Sequence, residues 1–286
     1  MNTHTTLIIG KQGKTGRRVD TLLQGAGHQT RAVSRSTIPA FDWQNPAGWS
    51  RAMQGCQSAY VCFQPDLAVP AARRSIAEFI RLAREAGISH IVLLSGRGEA
   101  GAQQAEQLLI NSGLNWNVVR ASWFAQNFSE GFLIEGVLNG QLALPAGDIP
   151  EPFVDADDIA EVAFACLTKP ELSNQLFEVT GPELLSFRDC VEIISDVTQS
   201  PVSFLPVSAA QFLQALKQQA MPNDVLWLMN ELFTVVMDGR NSQVVNGVEK
   251  ALGRLPTSFR EYVVKTMATG VWTLPQTSAE SSQGVL

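Results

Sequence analysis

The sequence predicts an α/β protein, namely a Rossmann-type, doubly wound parallel sheet followed by a smaller, mostly helical C-terminal part that covers a substrate site. Three observations lead to this prediction. Short apolar runs alternate with helical patterns through the first half of the 286 residues. The links between these segments are only a few residues long. A glycine-rich turn follows the first apolar run and opens the first helical pattern.

The strands of the first half are short apolar runs that end at turn or polar residues, at 6–9, 30–33, 59–63, 91–94 and 116–119. The helices between them carry apolar residues three and four positions apart, at 14–24, 69–86 and 99–112. The alternation of strands and helices predicts a parallel sheet with helices on both faces, and right-handed crossovers fix its handedness.

The second half is mostly helical. Its helical patterns cover residues 128–138, 155–167, 211–216, 225–236, 244–252 and 259–267, and one strand lies at 176–179. A further helix begins at Ser186, which is a suitable N-cap with Asp189 three positions later. Two roles are open for the apolar helix 225–236, a cover over the crevice and a homodimer face.

We therefore expect an NAD(P)-binding domain over residues 1–150 and a smaller C-terminal part over residues 151–273, packed over the crevice. The strand at 176–179 is open to joining the core sheet. Residues 274–286 are rich in Ser, Gln and Thr and are expected to form a flexible tail.

The composition excludes several classes of protein. Lys plus Arg total 21 and Asp plus Glu total 27, so we expect no nucleic-acid partner, because phosphate binding needs clustered basic residues. No apolar run approaches the ~20 residues of a membrane span, and the polar start lacks a signal peptide, so we expect a cytoplasmic protein without a membrane partner. The four cysteines lack C-x-x-C spacing and the three histidines are isolated, which predicts reduced, buried thiols and no bound metal.

The glycine turn has the spacing G-x-x-G-x-x-G, at Gly10, Gly13 and Gly16. Glycines here allow a tight turn and let the backbone approach a pyrophosphate, which binds at the N-terminus of the following helix. Gly13, Lys14 and Thr15 also resemble the end of a nucleoside-triphosphate loop. That loop requires a glycine at position 8, where this chain has Ile8, so we reject it.

The end of the second strand favours NADP(H) over NAD(H). An NAD site usually has an acidic residue there, which binds the ribose hydroxyls. This chain instead has Ser34 and Arg35, which would attract a 2′-phosphate, with Lys14 as a further cation. Asp42 and Trp43 follow, at the place where such folds contact the adenine amino group; a simple turn is the alternative for Asp42.

The ends of the later strands are expected to meet in one crevice, because parallel strands share a carboxyl edge. We predict that the residues after the third and fourth strands contact the cofactor, namely Phe63, Gln64, Pro65 and Ser95. The segment after the fifth strand is predicted to form the substrate pocket, with Trp123, Phe124, Asn127 and Phe128. Core packing is the alternative for the three aromatic rings, and an N-cap is the alternative to a crevice role for Asp155.

Five segments, in their order and spacing, resemble the NmrA-like branch of the atypical short-chain dehydrogenases/reductases. They are LIIGKQGKTGRR at 7–18, HIVLLS at 90–95, VVRASWFAQNFS at 118–129, FVDADDIA at 153–160 and FEVTGP at 177–182. The resemblance implies a Rossmann core that binds NAD(P)(H). The implied cofactor contacts are Gly10, Gly13, Lys14, Thr15 and Gly16 at the diphosphate and Arg35 at the 2′-phosphate. Gln12, within the same turn, is a further predicted cofactor contact. Members include quinone reductases, triphenylmethane-dye reductases, ergot-alkaloid iminium reductases and regulators that bind the dinucleotide without turnover.

One departure limits the chemistry. The wider superfamily uses a Tyr-x-x-x-Lys pair to protonate a carbonyl oxygen, but the helix after Ser95 has neither residue. A quinone-like acceptor or an iminium or cationic aromatic acceptor does not need that acid. We therefore expect NADPH-dependent hydride transfer to such a small aromatic substrate, with Asn127 and Ser95 as candidate catalytic residues and Gln64 as a second hydrogen-bond donor. The alternative is a non-catalytic NADP(H) sensor with a protein partner; a sugar-nucleotide epimerase would need the absent pair.

Overall fold

The computed structural model describes residues 4–273, so the predicted tail over 274–286 lies outside the described residues. The described part confirms the doubly wound α/β fold. Six strands form one parallel sheet in the order β2-β1-β3-β4-β5-β7, and β6 and β8 form a separate parallel pair. The strands are β1 (Thr5–Ile9), β2 (Gln29–Val33), β3 (Ser58–Val61), β4 (His90–Gly96), β5 (Asn115–Ala121), β6 (Gln141–Leu144), β7 (Gln175–Val179) and β8 (Ser203–Pro206).

Helices flank the sheet and form most of the second half. They are α1 (Gly16–Gly25), α2 (Trp49–Met53), α3 (Pro70–Glu85), α4 (Ala100–Ile110), α5 (Asn127–Glu130), α6 (Ile134–Leu138), α7 (Ala156–Thr168), α8 (Phe187–Thr198), α9 (Ala209–Gln218), α10 (Asn223–Glu231), α11 (Gly247–Leu252) and α12 (Phe259–Met267). A π-helical turn, Leu232–Val236, follows α10.

The two faces of the sheet bury separate cores. Leu7 and Ile9 of β1 pack in the core covered by α3 and α4, whereas Ile8 points to the core covered by α1 and α7. This alternation explains why β1 is apolar at every one of these positions, since neither face of the strand meets water.

The order of the strands places a crevice at β1. The chain leaves β1 for β2 on one side and then crosses to β3 on the other. At such a switch point the connections diverge and leave a ligand crevice at the carboxyl ends of the strands. The backbone N–H groups of Gly10 and Lys11 both donate to the carbonyl oxygen of Val33, at 3.2 and 3.1 Å. The end of β2 therefore lies directly beside the glycine turn.

The second half contributes to the main sheet, because β7 pairs with β5 from Gln175 to Val179. Helix α7 packs on α1, and β8 from the second half pairs with β6 from the first. The division at residue 150 stays a prediction.

Two predicted helices differ in the structure. The pattern at 128–138 forms two short helices, α5 and α6, because Gly131 is extended (φ −136°, ψ −164°). The pattern at 225–236 forms α10 and then the π-helical turn. The helix that begins after Ser186 is confirmed, with a capping box between Ser186 and Asp189.

Within residues 4–273, no helix is long and apolar enough to cross a membrane, and no group of His, Cys, Asp or Glu side chains is arranged to hold a metal ion. The four cysteines are unpaired, as predicted; three are buried and Cys62 is half-buried.

Candidate functional site

A cavity of about 450 Å³ lies at the carboxyl ends of β1, β3, β4 and β5. We call it the crevice. Eleven of the predicted site residues line it, namely Gln12, Gly13, Lys14, Thr15, Phe63, Gln64, Pro65, Ser95, Trp123, Phe124 and Asn127. A wider groove of about 1350 Å³, between α1, α7 and the start of α12, contains none of the predicted site residues.

The glycine turn is built so that only glycine fits at two positions. Gly10 has φ +84°, a left-handed conformation that other residues rarely adopt. A methyl group on Gly16 would overlap the carbonyl oxygen of Gly10, so a larger residue would push α1 away from β1. The N–H of Gly13 donates to that same oxygen over 2.8 Å, which closes the turn. At Gly13 the turn therefore presents backbone, without a side chain, to the crevice.

Lys14 connects the turn to the segment after β5. Its Nζ atom donates to Oδ1 of Asn127 over 3.1 Å. Burial lowers the pKa of Lys14, while the neighbouring Glu130 and Cys62 act in the opposite direction. Lys14 and Asn127 were predicted for opposite ends of the site, and the structure brings their side chains into direct contact.

Two other basic residues of α1 are already paired. Arg17 Nη2 lies 2.5 Å from Glu130 Oε2, and Arg18 Nη2 lies 2.8 Å from Glu130 Oε1. Arg18 also bonds Asp157, in the first turn of α7. These ion pairs fix α5 and α7 against α1. Of the basic residues near the turn, Lys14 therefore remains the one that faces the crevice without a carboxylate partner of its own among residues 4–273.

The residues after β2 lie beside the turn and outside the crevice lining. Ser34 is half-buried, and Arg35 is exposed with no ion pair among the described residues. Asp42 accepts a hydrogen bond from the Gln44 backbone over 3.0 Å, as expected for a turn residue. Trp43 donates from its indole nitrogen to the carbonyl oxygen of Cys62 over 3.1 Å and packs in an aromatic cluster.

The loop after β3 forms the floor of the crevice. Gln64 lies across from Gly13, because a methyl group on that glycine would be 3.9 Å from Gln64 Nε2. Cys62 lies under the turn, where a methyl group on Gly10 would be 3.6 Å from its sulfur. Burial, together with the Asp66 charge, raises the pKa of the Cys62 thiol to about 11, against the opposing charge of Lys14.

The Ser95 side chain hydrogen-bonds to the glutamate of a buried ion pair, Glu106–Arg120. Its hydroxyl donates to Glu106 Oε1 over 2.5 Å, and Glu106 also accepts from Arg120 Nε over 2.9 Å. Glu106 is fully buried. The Ser95 proton is therefore directed at α4 and away from the crevice, although the residue lines it. This arrangement disfavours Ser95 as a proton donor to a substrate.

The aromatic residues after β5 divide into two groups. Trp123 and Phe124 line the crevice. Phe128 does not, because it is fully buried against Phe153, Phe187 and Phe259. The prediction that Phe128 forms a substrate wall is wrong, and core packing is its role. Helix α5 turns its ring inward, and the sequence pattern alone does not indicate that direction.

Asp155 caps α7 and does not face the crevice. Its Oδ1 atom accepts from the Asp157 backbone over 2.9 Å and from Gln126 Nε2 over 2.6 Å. The N-cap alternative is therefore the one that the structure contains.

The chain matches no profile of a known protein family. It is similar along most of its length to proteins of known name. Festuclavine dehydrogenase of Aspergillus fumigatus is 29% identical over 290 residues, which cover 92% of this chain and 98% of that protein. An NAD(P)H azoreductase of Xenophilus azovorans is 28% identical over 90% of this chain and 96% of its own. Prestalk A differentiation protein A of Dictyostelium discoideum is 26% identical over 82% of this chain and 77% of its own.

Solved structures with the same fold cover nearly the whole chain. The NADPH complex of a quinone oxidoreductase from Escherichia coli has a TM-score of 0.77, with 18% identity over 92% of this chain and 99% of that one. The transcriptional regulator NmrA in complex with NADP has a TM-score of 0.72, with 18% identity over 96% of this chain and 100% of that one. These similarities support the resemblance of the chain to the NmrA-like branch of the atypical short-chain dehydrogenases/reductases.

Neither tyrosine of the protein lines the crevice. Tyr60 is fully buried in β3, and Tyr262 of α12 is buried and donates to Ser129 Oγ over 2.7 Å. Burial raises the pKa of both phenols. Neither group can therefore act as the acid that the wider superfamily obtains from its Tyr-x-x-x-Lys pair.

Several crevice residues were not among the individually predicted site residues. Leu228, Met229, Leu232 and Val236 cover the crevice, so one of the two roles left open for this segment is observed. Asp66 and Glu99 also line it. Asp66 follows Pro65 directly, and that adjacency to a predicted site residue was the available signal. A charged residue in a loop is usually solvent-exposed, and for this reason neither Asp66 nor Glu99 was predicted as a site residue.

Proposed function

We propose that this NmrA-like protein is an NADPH-dependent oxidoreductase that reduces a small, flat aromatic acceptor, either quinone-like or an iminium or other cationic ring system. The observation that carries the proposal is the continuity of the crevice. It runs from the glycine turn, past the Lys14–Asn127 contact, to apolar walls formed by Trp123, Phe124 and Met229. A site for a dinucleotide and a site for an aromatic molecule therefore adjoin.

The residues of the turn fit a dinucleotide diphosphate. Among residues 4–273, the backbone N–H groups of Gln12, Lys14 and Thr15 have no protein acceptor, and they precede the first turn of α1. Such N–H groups and the positive end of a helix favour a phosphate. Lys14 adds a positive charge at the same place. When bound, a reduced nicotinamide cofactor would supply a hydride.

The preference for NADPH over NADH is part of the proposal. Arg35 is exposed beside the turn and carries no ion pair in the described part of the chain, so its guanidinium is available to a 2′-phosphate. Ser34 and Ser36 supply hydroxyl groups next to it, at 3.1 Å from each other. No carboxylate follows β2 to repel that phosphate before Asp42.

Asn127 is the proposed donor to an acceptor oxygen. Lys14 occupies the carbonyl end of its amide, which leaves the Nδ2 group as a donor; among residues 4–273 that group has no acceptor. A fixed N–H donor stabilises negative charge that develops on oxygen during reduction. Cationic acceptors become neutral on reduction and do not need this donor.

A non-catalytic NADP(H) sensor is the alternative, and the absence of a tyrosine from the crevice lining is the observation that favours it. An assay of NADPH oxidation with menadione, a neutral quinone, and malachite green, a cationic dye, separates the two. The reductase proposal expects turnover of at least one acceptor. Tight and selective binding of NADPH without turnover of either would support the sensor.

The same assay tests the role of Asn127. The substitution Asn127→Ala is expected to lower kcat for menadione by about 10²-fold, the usual cost of one lost oxyanion donor, and to change malachite green reduction much less. Asn139→Ala, at an exposed asparagine after α6, is the matched control. Equal losses for both acceptors would contradict the assigned role.

A further inference from the structure

The crevice contains two carboxyl groups that the proposed function does not use. Glu99 lies in the loop after β4 and Asp66 in the loop after β3, and both line the cavity. Glu99 is 6% exposed, and Asp66 is half-buried. The two carboxyl groups are close enough that the charge of Asp66 raises the pKa of Glu99. Like charges held near each other favour protonation of one of the two groups.

The surroundings of Glu99 favour its protonated form more than those of Asp66 do. Asp66 Oδ1 accepts from the Ala68 backbone N–H over 2.7 Å, which stabilises the charged form of Asp66. Glu99 Oε2 is buried and has no hydrogen-bond partner among residues 4–273. Burial, and then the charge of Asp66, raise the pKa of Glu99 well above its ordinary value. Glu106 on α4 and Glu231 on α10 also face Glu99 and act in the same direction.

The backbone directs the Glu99 carboxyl toward the crevice. A methyl group on Gly96 would overlap that carboxyl, so the side chain folds back onto the Cα atom of Gly96 at the carboxyl end of β4. Gly96 itself lines the crevice. Leu228 and Met229 form an apolar wall of the same cavity, and an apolar wall limits the water that could exchange with the acid.

We propose that Glu99 is the general acid of the reductase and that Asp66 is a positioning residue that keeps Glu99 protonated. The proposal rests on the proposed function and deepens it for the neutral, quinone-like acceptors, whose reduction leaves negative charge on oxygen. A quinone gains the hydride, with its two electrons, from the reduced dinucleotide, which is oxidised. The Glu99 O–H bond breaks, its proton bonds to the quinone oxygen, and the product is a neutral hydroquinone. The Glu99 carboxylate then recovers a proton from water.

Glu99→Gln tests the acid directly. Its kcat for menadione is expected to fall by about 10²-fold, the low end for a lost proton transfer, because a phenolate is itself stabilised. Its kcat for malachite green is expected to stay within about threefold of the wild-type value, since that cation needs no proton. Glu171→Gln, at an exposed glutamate, is the matched control. Equal kcat values for wild type and Glu99→Gln with menadione would overturn the proposal.

The pH profile with menadione distinguishes an acid from a structural residue. For wild type, kcat should fall as the pH rises through the pKa of Glu99, and Glu99→Gln should lack this alkaline limb. Asp66→Asn removes one of the charges that raise the pKa of Glu99, so in this variant the alkaline fall of kcat should occur at lower pH than in wild type. A limb that is unchanged in both variants would overturn the proposal.

Infrared difference spectroscopy on the protein without cofactor or acceptor gives a readout independent of turnover. At neutral pH, the difference between the wild-type and Glu99→Gln spectra should contain a protonated-carboxyl band from Glu99, beside any band that Glu151 gives in both; identical spectra would overturn the assignment of the proton. Failure of the proposed function and failure of this inference alone give different results. Absence of any wild-type turnover with menadione and malachite green would overturn the proposed function, and this inference with it. Wild-type turnover without an effect of Glu99→Gln would overturn this inference alone.

Discussion

Lys14 Nζ donates to Asn127 Oδ1 over 3.1 Å, and this bond joins the phosphate end of the crevice to the acceptor end. The carbonyl end of an amide that faces a cation is fixed, so the direction of its N–H₂ group is fixed as well. The cation of the glycine turn thereby orients the donor that we assign to the acceptor.

The substitution Lys14→Met should therefore act at both ends. We expect weaker binding of both NADPH and NADH, by about tenfold or more, because a charged contact to phosphate is lost. We also expect a lower kcat for menadione, since Asn127 is no longer held. Fluorescence titration and steady-state kinetics measure the two effects. Lys11→Met, at an exposed lysine in the same turn, is the control.

The double variant Lys14→Met with Asn127→Ala tests the bond between the two side chains. Its kcat should fall by less than the product of the two single-variant losses. Losses that simply combine would show that the Lys14–Asn127 hydrogen bond has no functional role.

Arg35→Ala should separate the two cofactors. The Kd for NADPH should rise by about tenfold to a hundredfold, because a charge-assisted contact to the 2′-phosphate is lost, while the Kd for NADH should not change. Isothermal titration with both dinucleotides measures this, with Arg73→Ala on the exposed surface of α3 as control. Equal losses for NADPH and NADH, or no loss for either, would contradict the assignment of Arg35.

Gly16→Ala should damage both stability and cofactor binding. The added methyl group overlaps the carbonyl oxygen of Gly10, and overpacking of this kind costs about 1–3 kcal/mol of unfolding free energy. NADPH binding should be lost because the turn opens. Gly25→Ala at the other end of α1 is the control, since nothing lies within 4 Å of its added methyl group. That variant should be neutral or more stable by up to about 1 kcal/mol, from the lower entropy of its unfolded chain. Equal stability of the two variants would refute the close approach.

Glu151 should make stability depend on pH. It is fully buried, neither carboxyl oxygen has a hydrogen-bond partner among residues 4–273, and burial raises its pKa to about 7. Arg97 opposes this rise and Asp238 adds to it. Because the folded pKa is above the unfolded one, the protonated group favours the folded state at low pH. This contribution is lost as the pH rises from the unfolded pKa through about 7.

The loss amounts to about 3 kcal/mol at most, and Glu151→Gln should abolish it. Urea unfolding at a series of pH values should give an unfolding free energy that rises for the variant relative to wild type as the pH increases. Glu171→Gln is the control, from an exposed site. Parallel pH profiles for wild type and Glu151→Gln would show that Glu151 does not titrate in this range.

The sequence was sufficient to predict what depends on local pattern. The strand, glycine turn and helix at residues 6–24 follow from hydrophobic periodicity and from the special backbone of glycine, and the capping box at Ser186 follows from two residues three positions apart. The common carboxyl edge of parallel strands then predicts which loops meet. For this reason most of the predicted site residues do line one cavity.

What could not be predicted depends on contacts between distant segments. Glu130 takes up Arg17 and Arg18 across more than a hundred positions, so two basic residues near the turn are not free. The inward direction of Phe128 is set by its packing against Phe259. The burial of Glu99 depends on Gly96 beneath it and on α10 above it, and nothing within its own loop indicates either.

The position of Cys62 under the glycine turn has a practical consequence. Cys56, Cys166 and Cys190 are buried, whereas Cys62 is half-buried and lines the crevice, so we expect a small alkylating reagent to react first with Cys62 in the folded chain. With a pKa of about 11 it reacts slowly at neutral pH and faster in mild alkali. A nucleotide bound on the turn would shield the Cys62 thiol from the reagent. The rate of Cys62 alkylation, measured by mass spectrometry, would therefore report the fraction of the protein that has nucleotide bound. This measurement does not depend on turnover, so it applies to a catalyst and to a sensor alike.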